Sequence, residues 1–338
     1  MLFLKVPRKE GERIRRELLG QGILSDDYEI AKEKDFILFP VLSPFAGYEV
    51  VELEGAKRPK QYKKLEDALS EFLTPKQLES IVSSFDIIGD IAIMEIPDEL
   101  EPQERKIGEA LLKVHKNIRT VLKKLGPMEG EFRVRKVKVI AGEDRTETTY
   151  TENGVKMKLD VSKVYFSVRL AHERARIADL VGENERVLVM FAGVGPFAFA
   201  IAKKHSDAKI TAVELNPEAV RYMKANIAFN GFRNIEAVEG DVHSVSLPES
   251  SFDHIIMPLP KLAHGFLDIA FRAVRDGGVV HFYTIADSGN PFAEALGKAE
   301  PAAEKSGVSI SVRSQRVVRP YSPSQVQVVL DLIVRKNQ

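Results

Sequence analysis

Residues 187–201, VLVMFAGVGPFAFAI, decide the fold. The run VLVMF is a strand-like block of apolar residues that breaks at Gly193 and Gly195 and resumes as a helix with Pro196 at its first position. Such a bare turn lies at the carboxyl end of a strand, where open parallel sheets bind nucleotides and where missing side chains let a ligand touch backbone. Nineteen residues beyond Gly195, Glu214 ends the next strand in AVELNPEA, placed to accept both hydroxyls of a ribose. With Ala198 the motif reads G-x-G-x-x-A, which dinucleotide sites also tolerate, so this pairing leaves a nicotinamide-dependent oxidoreductase open.

Working outward, RVLVMF, AKITAVEL, NIEAVEG, FDHIIMPL and GGVVHFYTI read as strands with helices between them, an α/β pattern that implies a parallel sheet covered on both faces. The end differs. GVSISVRSQRVV and QVQVVLDLIVRK are consecutive strands joined by RPYSPS without room for a helix, so one of them runs antiparallel at the last positions of the sheet. Asp241, at the end of the third strand, suits an adenine amino group, and MPLPK ends the fourth in a rigid proline turn able to stack a base. These features resemble a class I, Rossmann-like S-adenosylmethionine-dependent methyltransferase and favour methyl transfer over hydride transfer.

Composition bounds the rest. The 338 residues, 44% hydrophobic and 29% charged with 49 basic against 49 acidic groups, describe an ordinary globular chain whose net charge points to no partner. Without cysteine there are no disulfides or thiolate metal ligands, and the histidines lack ligand spacing, so no metal is expected. No apolar run is long enough to span a bilayer, and the N-terminus turns charged after four residues, giving a cytoplasmic, membrane-free expectation.

Two smaller α/β modules precede the third block, giving domains at 1–54, 65–160 and 161–338. The first holds a charged helix in KEGERIRRELLGQG and strands in DFILFPVL and GYEVVELE; the basic linker GAKRPKQYKK follows. In the second, Thr74 and Pro75 start a capped helix and DIIGDIAIMEI reads as one strand. ERKIGEALLKVHKNIRTVLKKLGP reads as a long amphipathic helix with Ile107, Leu111, Val114, Ile118, Val121 and Leu125 inward. Lys106, Lys113, Lys116, Arg119, Lys123 and Lys124 fall on its other face and lean toward a polyanion, while EFRVRKVKVIAGED reads as a strand with a positive outer face.

LDVSKVYFSVRLAHERARIADLV, MFAGVGPFAFAIAKK, ELNPEAVRYMKANIAFN, GDVHSV, IIMPLPKLAHGFLD and GGVVHFYTI together resemble the archaeal and eukaryotic tRNA (guanine-N1)-methyltransferases that modify position 37. AGEDRTETTYTENG fits the same family, and residues 1–54 fit as its small N-terminal tRNA-contacting domain, with 65–160 as a middle RNA-binding domain. The resemblance implies transfer of a methyl group from S-adenosyl-L-methionine to N1 of guanosine 37 by a monomer that holds the tRNA through its anticodon loop and folded body. It places a catalytic base at Glu173 and a partner for guanine O6 at Arg133, with Arg135 a rival for the second role. For Glu173 the alternative is a surface ion pair with Arg169 or Arg176. The cofactor site it implies comprises Tyr165, Phe166, Arg169, Phe191, Gly193, Gly195, Glu214, Leu215, Asp241, Val242, Pro258 and Pro260, with Arg174 a further anion contact.

One position departs from the family, which usually has Asn before Leu-Pro at the end of the fourth strand, where this chain has Pro258. Pro offers no amide to grip a base edge. Either the turn geometry is what matters and Pro258 is a neutral replacement, or the polar grip is relaxed so that the pocket also admits the tricyclic precursor (imG-14) that wyosine-pathway relatives methylate at the same nucleotide, giving a dual substrate. An aminocarboxypropyl transferase of that pathway and a non-catalytic RNA-binding protein are the alternatives to methyl transfer, beside the oxidoreductase.

Overall fold

The computed structural model describes residues 1–337 apart from 59–61, 82–84, 127–129 and 131. The chain forms two compact units, Met1–Ala68 and Leu69–Gln338. In the first, β1 (Leu2–Pro7), β2 (Ala31–Lys32), β3 (Phe36–Pro40) and β4 (Glu49–Glu52) make an antiparallel sheet in the order β2-β3-β1-β4. The amphipathic helix α1 (Gly11–Gly20) turns Ile14 and Leu18 onto Leu4, Val6 and Phe39 of that sheet.

The helix α2 (Leu65–Leu69) crosses the boundary between the units, and α3 (Pro75–Ser80) starts at Thr74, whose hydroxyl and the Gln77 side chain form a reciprocal cap. The run expected as one strand is a hairpin, β5 (Asp86–Ile88) and β6 (Ile91–Met94), because Gly89 takes φ +60° and turns the chain back. The expected long helix is also corrected. It ends as α4 (Glu104–Val114), and β7 (Thr120–Lys124) runs parallel to β6, making α4 a crossover in a right-sized β-α-β unit. The strand β8 (Val137–Gly142) closes this sheet; it starts beyond Arg133 and Arg135, which precede it in a loop. A hairpin of β9 (Glu147–Glu152) and β10 (Val155–Asp160) follows, and Asn226 and Asn230 of a later helix grip the β10 edge by bonding the backbone of Lys158 and Lys156.

After α5 (Ala171–Leu180), the third block alternates as expected: β11 (Arg186–Met190), α6 (Pro196–Lys204), β12 (Lys209–Glu214), α7 (Pro217–Asn230), β13 (Ile235–Glu239), β14 (Phe252–Met257), α8 (Leu267–Ala273) and β15 (Val274–Asp287). Then α9 (Pro291–Lys305) leads to the hairpin of β16 (Val308–Ser322) and β17 (Gln325–Lys336). The sheet order is β13-β12-β11-β14-β15-β17-β16, with β17 antiparallel to both neighbours. Central strands such as β11 are buried on both faces, where Val187 and Val189 enter one core and Leu188 and Met190 the other. The sheet therefore presents the ends of β11, β12, β13 and β14 side by side along one edge.

Candidate active site

A cleft of about 190 Å³ opens at that edge. The glycine turn forms its floor: Gly193 and Gly195 have φ +58° and +94°, and a Cβ on Gly195 would stand 2.7 Å from the Phe199 ring. Phe191 itself is left-handed at φ +55°, a strain found where a site needs it. Glu214 ends β12 with one carboxylate oxygen bonded by the Gly193 N–H at 2.7 Å and the other by the Asn216 N–H at 2.8 Å. Burial pushes its pKa up while those backbone donors pull it back. Asp241, after β13, takes the His243 N–H on one oxygen at 2.9 Å. The fourth strand ends in Pro258, Leu259 and Pro260, a turn pinned by Leu259 N–H on the Met257 carbonyl and by Ile285 N–H on the Pro260 carbonyl. Apolar walls come from Tyr165, Leu215, Val242, Leu262 and an edge-to-face pair of Phe191 and Phe266 at 4.8 Å. Arg133 closes the mouth from the loop before β8, with φ +52°.

Glu173, in the first turn of α5, is not among the residues lining this cleft, and it is buried rather than a surface carboxylate. Arg176 donates to its Oε1 from Nε at 3.0 Å and Nη2 at 2.6 Å, and the Tyr283 hydroxyl donates to the same oxygen at 2.7 Å. Its Oε2 has no hydrogen-bond partner, with Arg316 Nη1 3.6 Å away. An unmade buried acceptor costs about 1–3 kcal/mol, so such an atom asks for a use. Behind it, Asp331 holds Arg176 at 2.6 Å and accepts from His281 Nδ1 at 2.6 Å. Burial would raise the Asp331 pKa, but the His281 and Arg176 hydrogen bonds outweigh it and hold the carboxyl well below its ordinary value. His281 in turn meets His254 at 2.8 Å, and burial together with the neighbouring His281 pushes His254 down to about 3. The Tyr283 hydroxyl is raised well above its ordinary value by burial and by Glu173, so it stays a donor. Phe197, two residues past Gly195, packs against the Tyr283 ring at 6.0 Å and joins this network to the glycine turn.

Three family models match in chain order: the tRNA methyltransferase 5 N-terminal domain over residues 4–49, the TYW2 N-terminal domain over 65–146 and the TRM5/TYW2 methyltransferase domain over 148–311. The chain is 43% identical to the tRNA (guanine(37)-N(1))-methyltransferase Trm5b of Pyrococcus abyssi, across 98% of this chain and 99% of that protein. The chain belongs to the TRM5/TYW2 methyltransferase family. A structure described as the complex of aTrm5 and tRNALeu superposes with TM-score 0.76 at 35% identity, covering 100% of both chains. Methanocaldococcus jannaschii TYW2 in complex with AdoMet superposes with TM-score 0.60 at 28% identity, over 75% of this chain and 100% of that one. A Nanoarchaeum equitans tRNA (guanine(37)-N(1))/4-demethylwyosine(37)-methyltransferase, Taw22, is 44% identical over 159 residues, 47% of this chain and 52% of that protein.

Within this TRM5/TYW2 frame the nicotinamide-dependent and non-catalytic readings are set aside, since the matched domain is a methyltransferase. Tyr165, Phe191, Gly193, Glu214, Leu215, Asp241, Val242, Pro258, Pro260 and Arg133 come together around the cleft, and Gly195 supports its floor. Three expected contacts lie elsewhere. Phe166 is in the core, edge-to-face with Tyr150 at 5.2 Å; Arg169 bonds Asp86 at 2.9 Å; and Arg174, fully buried, is bound bidentately to Glu152. Arg135 faces Asp86 at 3.8 Å and does not line the cleft, whereas Arg133 does and has no ion pair among the described residues. Sequence reasoning missed Leu262 and Phe266 in the cleft, and it missed Tyr283 and Asp331 beside Glu173. The alternation of His281 and Tyr283 in an otherwise apolar strand was the available signal. The residues present fit S-adenosylmethionine: a carboxylate at each of two strand ends suits its ribose hydroxyls and its adenine amino group, and the side-chain-free turn and aromatic walls leave room for the rest of the molecule.

Proposed function

We propose that this chain transfers a methyl group from S-adenosylmethionine to N1 of guanosine 37 in tRNA, as a cytoplasmic monomer. The observation that carries the catalytic assignment is Glu173, a buried carboxylate with one oxygen fixed by Arg176 and Tyr283 and the other without a hydrogen bond, 3.6 Å from Arg316. Guanine N1 bears a proton and its lone pair is delocalised into the amide, so a base must take that proton as N1 attacks. Oε2 of Glu173 takes it; the electron pair of the N1–H bond becomes the nucleophile, and charge grows on O6, where Arg133 supplies a cation. Bound S-adenosylmethionine supplies the electrophilic methyl group. Glu214 orients the ribose, Asp241 receives the adenine amino group, and Pro258 to Pro260 form the face on which the guanine stacks.

The partner reading is narrowed by the structure. Lys123 is buried against Glu101 at 2.7 Å and leaves the proposed RNA face, while Lys124 is paired with Glu95. Lys106, Lys113, Lys116 and Arg119 remain exposed and, with Lys57, Arg58, Lys63 and Lys64 of the linker, are proposed to meet phosphates; Lys60 lies outside the described residues. Residues 1–54 are proposed to touch the folded tRNA body, with 65–160 as RNA-binding and 161–338 as catalytic domain.

A second reading, methylation of the tricyclic precursor 4-demethylwyosine as well, is favoured by Pro258, which gives the cleft an apolar surface where an amide would grip guanine. It gains from the two activities in the Taw22 name. Presenting tRNA with either nucleoside to the native enzyme and to Pro258→Asn tests it: methylation of guanosine alone, or an unmoved preference in the variant, contradicts it. The main reading is tested by single-turnover methylation with Glu173→Gln, expected to fall roughly 10²–10⁴-fold with unchanged cofactor affinity. A near-native rate would take the base role from Glu173.

A further inference from the structure

Among the described residues, the last strand of the large sheet has no partner on its outer edge. β16 is 15 residues long, carries Arg313, Arg316 and Arg319 and has no Asp or Glu. Its side chains are exposed over most of its length, among them Val317 and Tyr321. Arginines commonly guard free edges against strand addition, but their placement here is more specific than a guard needs. The register with β17 breaks at Arg313, Val318 and Tyr321, and the break at Val318 lets Arg316 oppose Val329 and Arg319 oppose Gln327. Without that bulge, residues three apart would point to opposite faces. With it, both lie on the face of Asp331 and Val329, the face on which Glu173 sits, and Arg316 reaches to within 3.6 Å of Glu173 Oε2. Arg319 is braced by Gln327 at 2.9 Å, and Arg313 is exposed with no ion pair among the described residues.

Direction adds a second argument. β15 runs parallel to β14, and two antiparallel steps make β16 parallel to both. The Tyr321 end of β16 therefore lies at the edge where Pro258 and Pro260 close the cleft, and Lys261, next in sequence, sits over the Tyr321 ring at 5.4 Å. We infer that β16 is a tRNA-binding strand: the phosphates beside the target nucleotide follow Arg319, Arg316 and Arg313, and a neighbouring base stacks on Tyr321. This rests on the tRNA reading above. The strand from Arg313 to Tyr321 spans roughly 25 Å, room for several consecutive phosphates. Arginine clusters with an exposed aromatic suit single-stranded RNA, whose bases splay and stack. Arg316 then has two anions to choose from. A phosphate that draws it away from Glu173 leaves Oε2 free to accept the guanine proton, so RNA binding and base release occur together.

The test uses the full chain, an unmodified tRNA transcript and S-adenosylmethionine. The double variant Arg313→Glu/Arg319→Glu is expected to bind tRNA at least about tenfold more weakly in moderate salt, and the plot of log affinity against log salt should be shallower by roughly one to two units. Its cofactor affinity by calorimetry should match the native protein. The milder Arg313→Gln and Tyr321→Ala should each weaken tRNA binding by several-fold, the second without changing the salt slope. Unchanged tRNA affinity and slope in variants that still bind cofactor would overturn the inference alone. So would a change in sedimentation behaviour with tRNA affinity intact, which would give the edge to self-association. A native protein that neither binds nor methylates tRNA would overturn the function proposed above as well.

Discussion

Glu173 combines two states in one side chain, an Oε1 saturated by donors and an Oε2 without a hydrogen bond that faces the Arg316 cation at 3.6 Å. Donors to a carboxylate stabilise its charged form and hold it in place. Removing one donor with Tyr283→Phe should therefore loosen the carboxylate's orientation and lower the single-turnover methylation rate about tenfold, with cofactor affinity unchanged. A rate that does not fall would show that Tyr283 only fills space. Beside this network, His254 has a folded pKa near 3, below its ordinary value near 6.5. A group depressed in this way costs stability as pH falls, because the unfolded chain takes the proton first. Stability is thus expected to decline from about pH 6.5 toward pH 3, by on the order of 4 kcal/mol for this residue. His254→Gln should flatten that part of the curve in pH-dependent denaturant unfolding. From the residues alone, the pairing of Glu173 with Arg176 was legible because the two lie three apart on a helix. Its burial was not, since Tyr283 and Asp331 arrive from strands more than a hundred residues later.

The glycine turn was legible at the scale of the element because its requirement is local: positive φ at both glycines and a helix starting at Pro196. The two glycines differ in what they tolerate. An Ala at 195 meets Phe199 at 2.7 Å and Met223 at 3.1 Å in a left-handed backbone, and should cost roughly 2–4 kcal/mol in denaturant unfolding. An Ala at 193 meets nothing nearer than the Tyr165 carbonyl at 3.7 Å and should cost about 1–2 kcal/mol. Equal losses would contradict the packing described beneath the turn. The segment after Val114 misleads because its apolar residues keep a 3/4 spacing while the chain has become a strand. β7 is buried on both faces, so its run shows no alternation to compete with the helical pattern. Lys123 deepens the ambiguity: it looks like a solvated cation, yet Glu101 and Glu104 neutralise it inside the fold.

For the whole molecule, a chain of zero net charge must hold a polyanion through local patches rather than an overall field. The cleft, Glu173 and β16 all belong to the unit Leu69–Gln338, whereas Met1–Ala68 has its own core. Residues 69–338 alone are therefore expected to bind S-adenosylmethionine like the full chain while losing part of the tRNA affinity. An undiminished tRNA affinity would remove the first unit from the interface. The α/β order of the large sheet was readable because each strand-helix repeat carries its own pattern, and residues 1–54 read as a separate module; the joining of the second block to the third in one compact unit was not readable, because it depends on which cores share side chains. The central claim, methyl transfer to N1 of guanosine 37, is tested most directly by incubating the protein with S-adenosylmethionine labelled in its methyl group and a tRNA transcript bearing guanosine at position 37, then digesting to nucleosides. The account predicts label in 1-methylguanosine, and none when position 37 is adenosine. Label in any other nucleoside, or an aminocarboxypropyl group on the tRNA in place of a methyl, would contradict it.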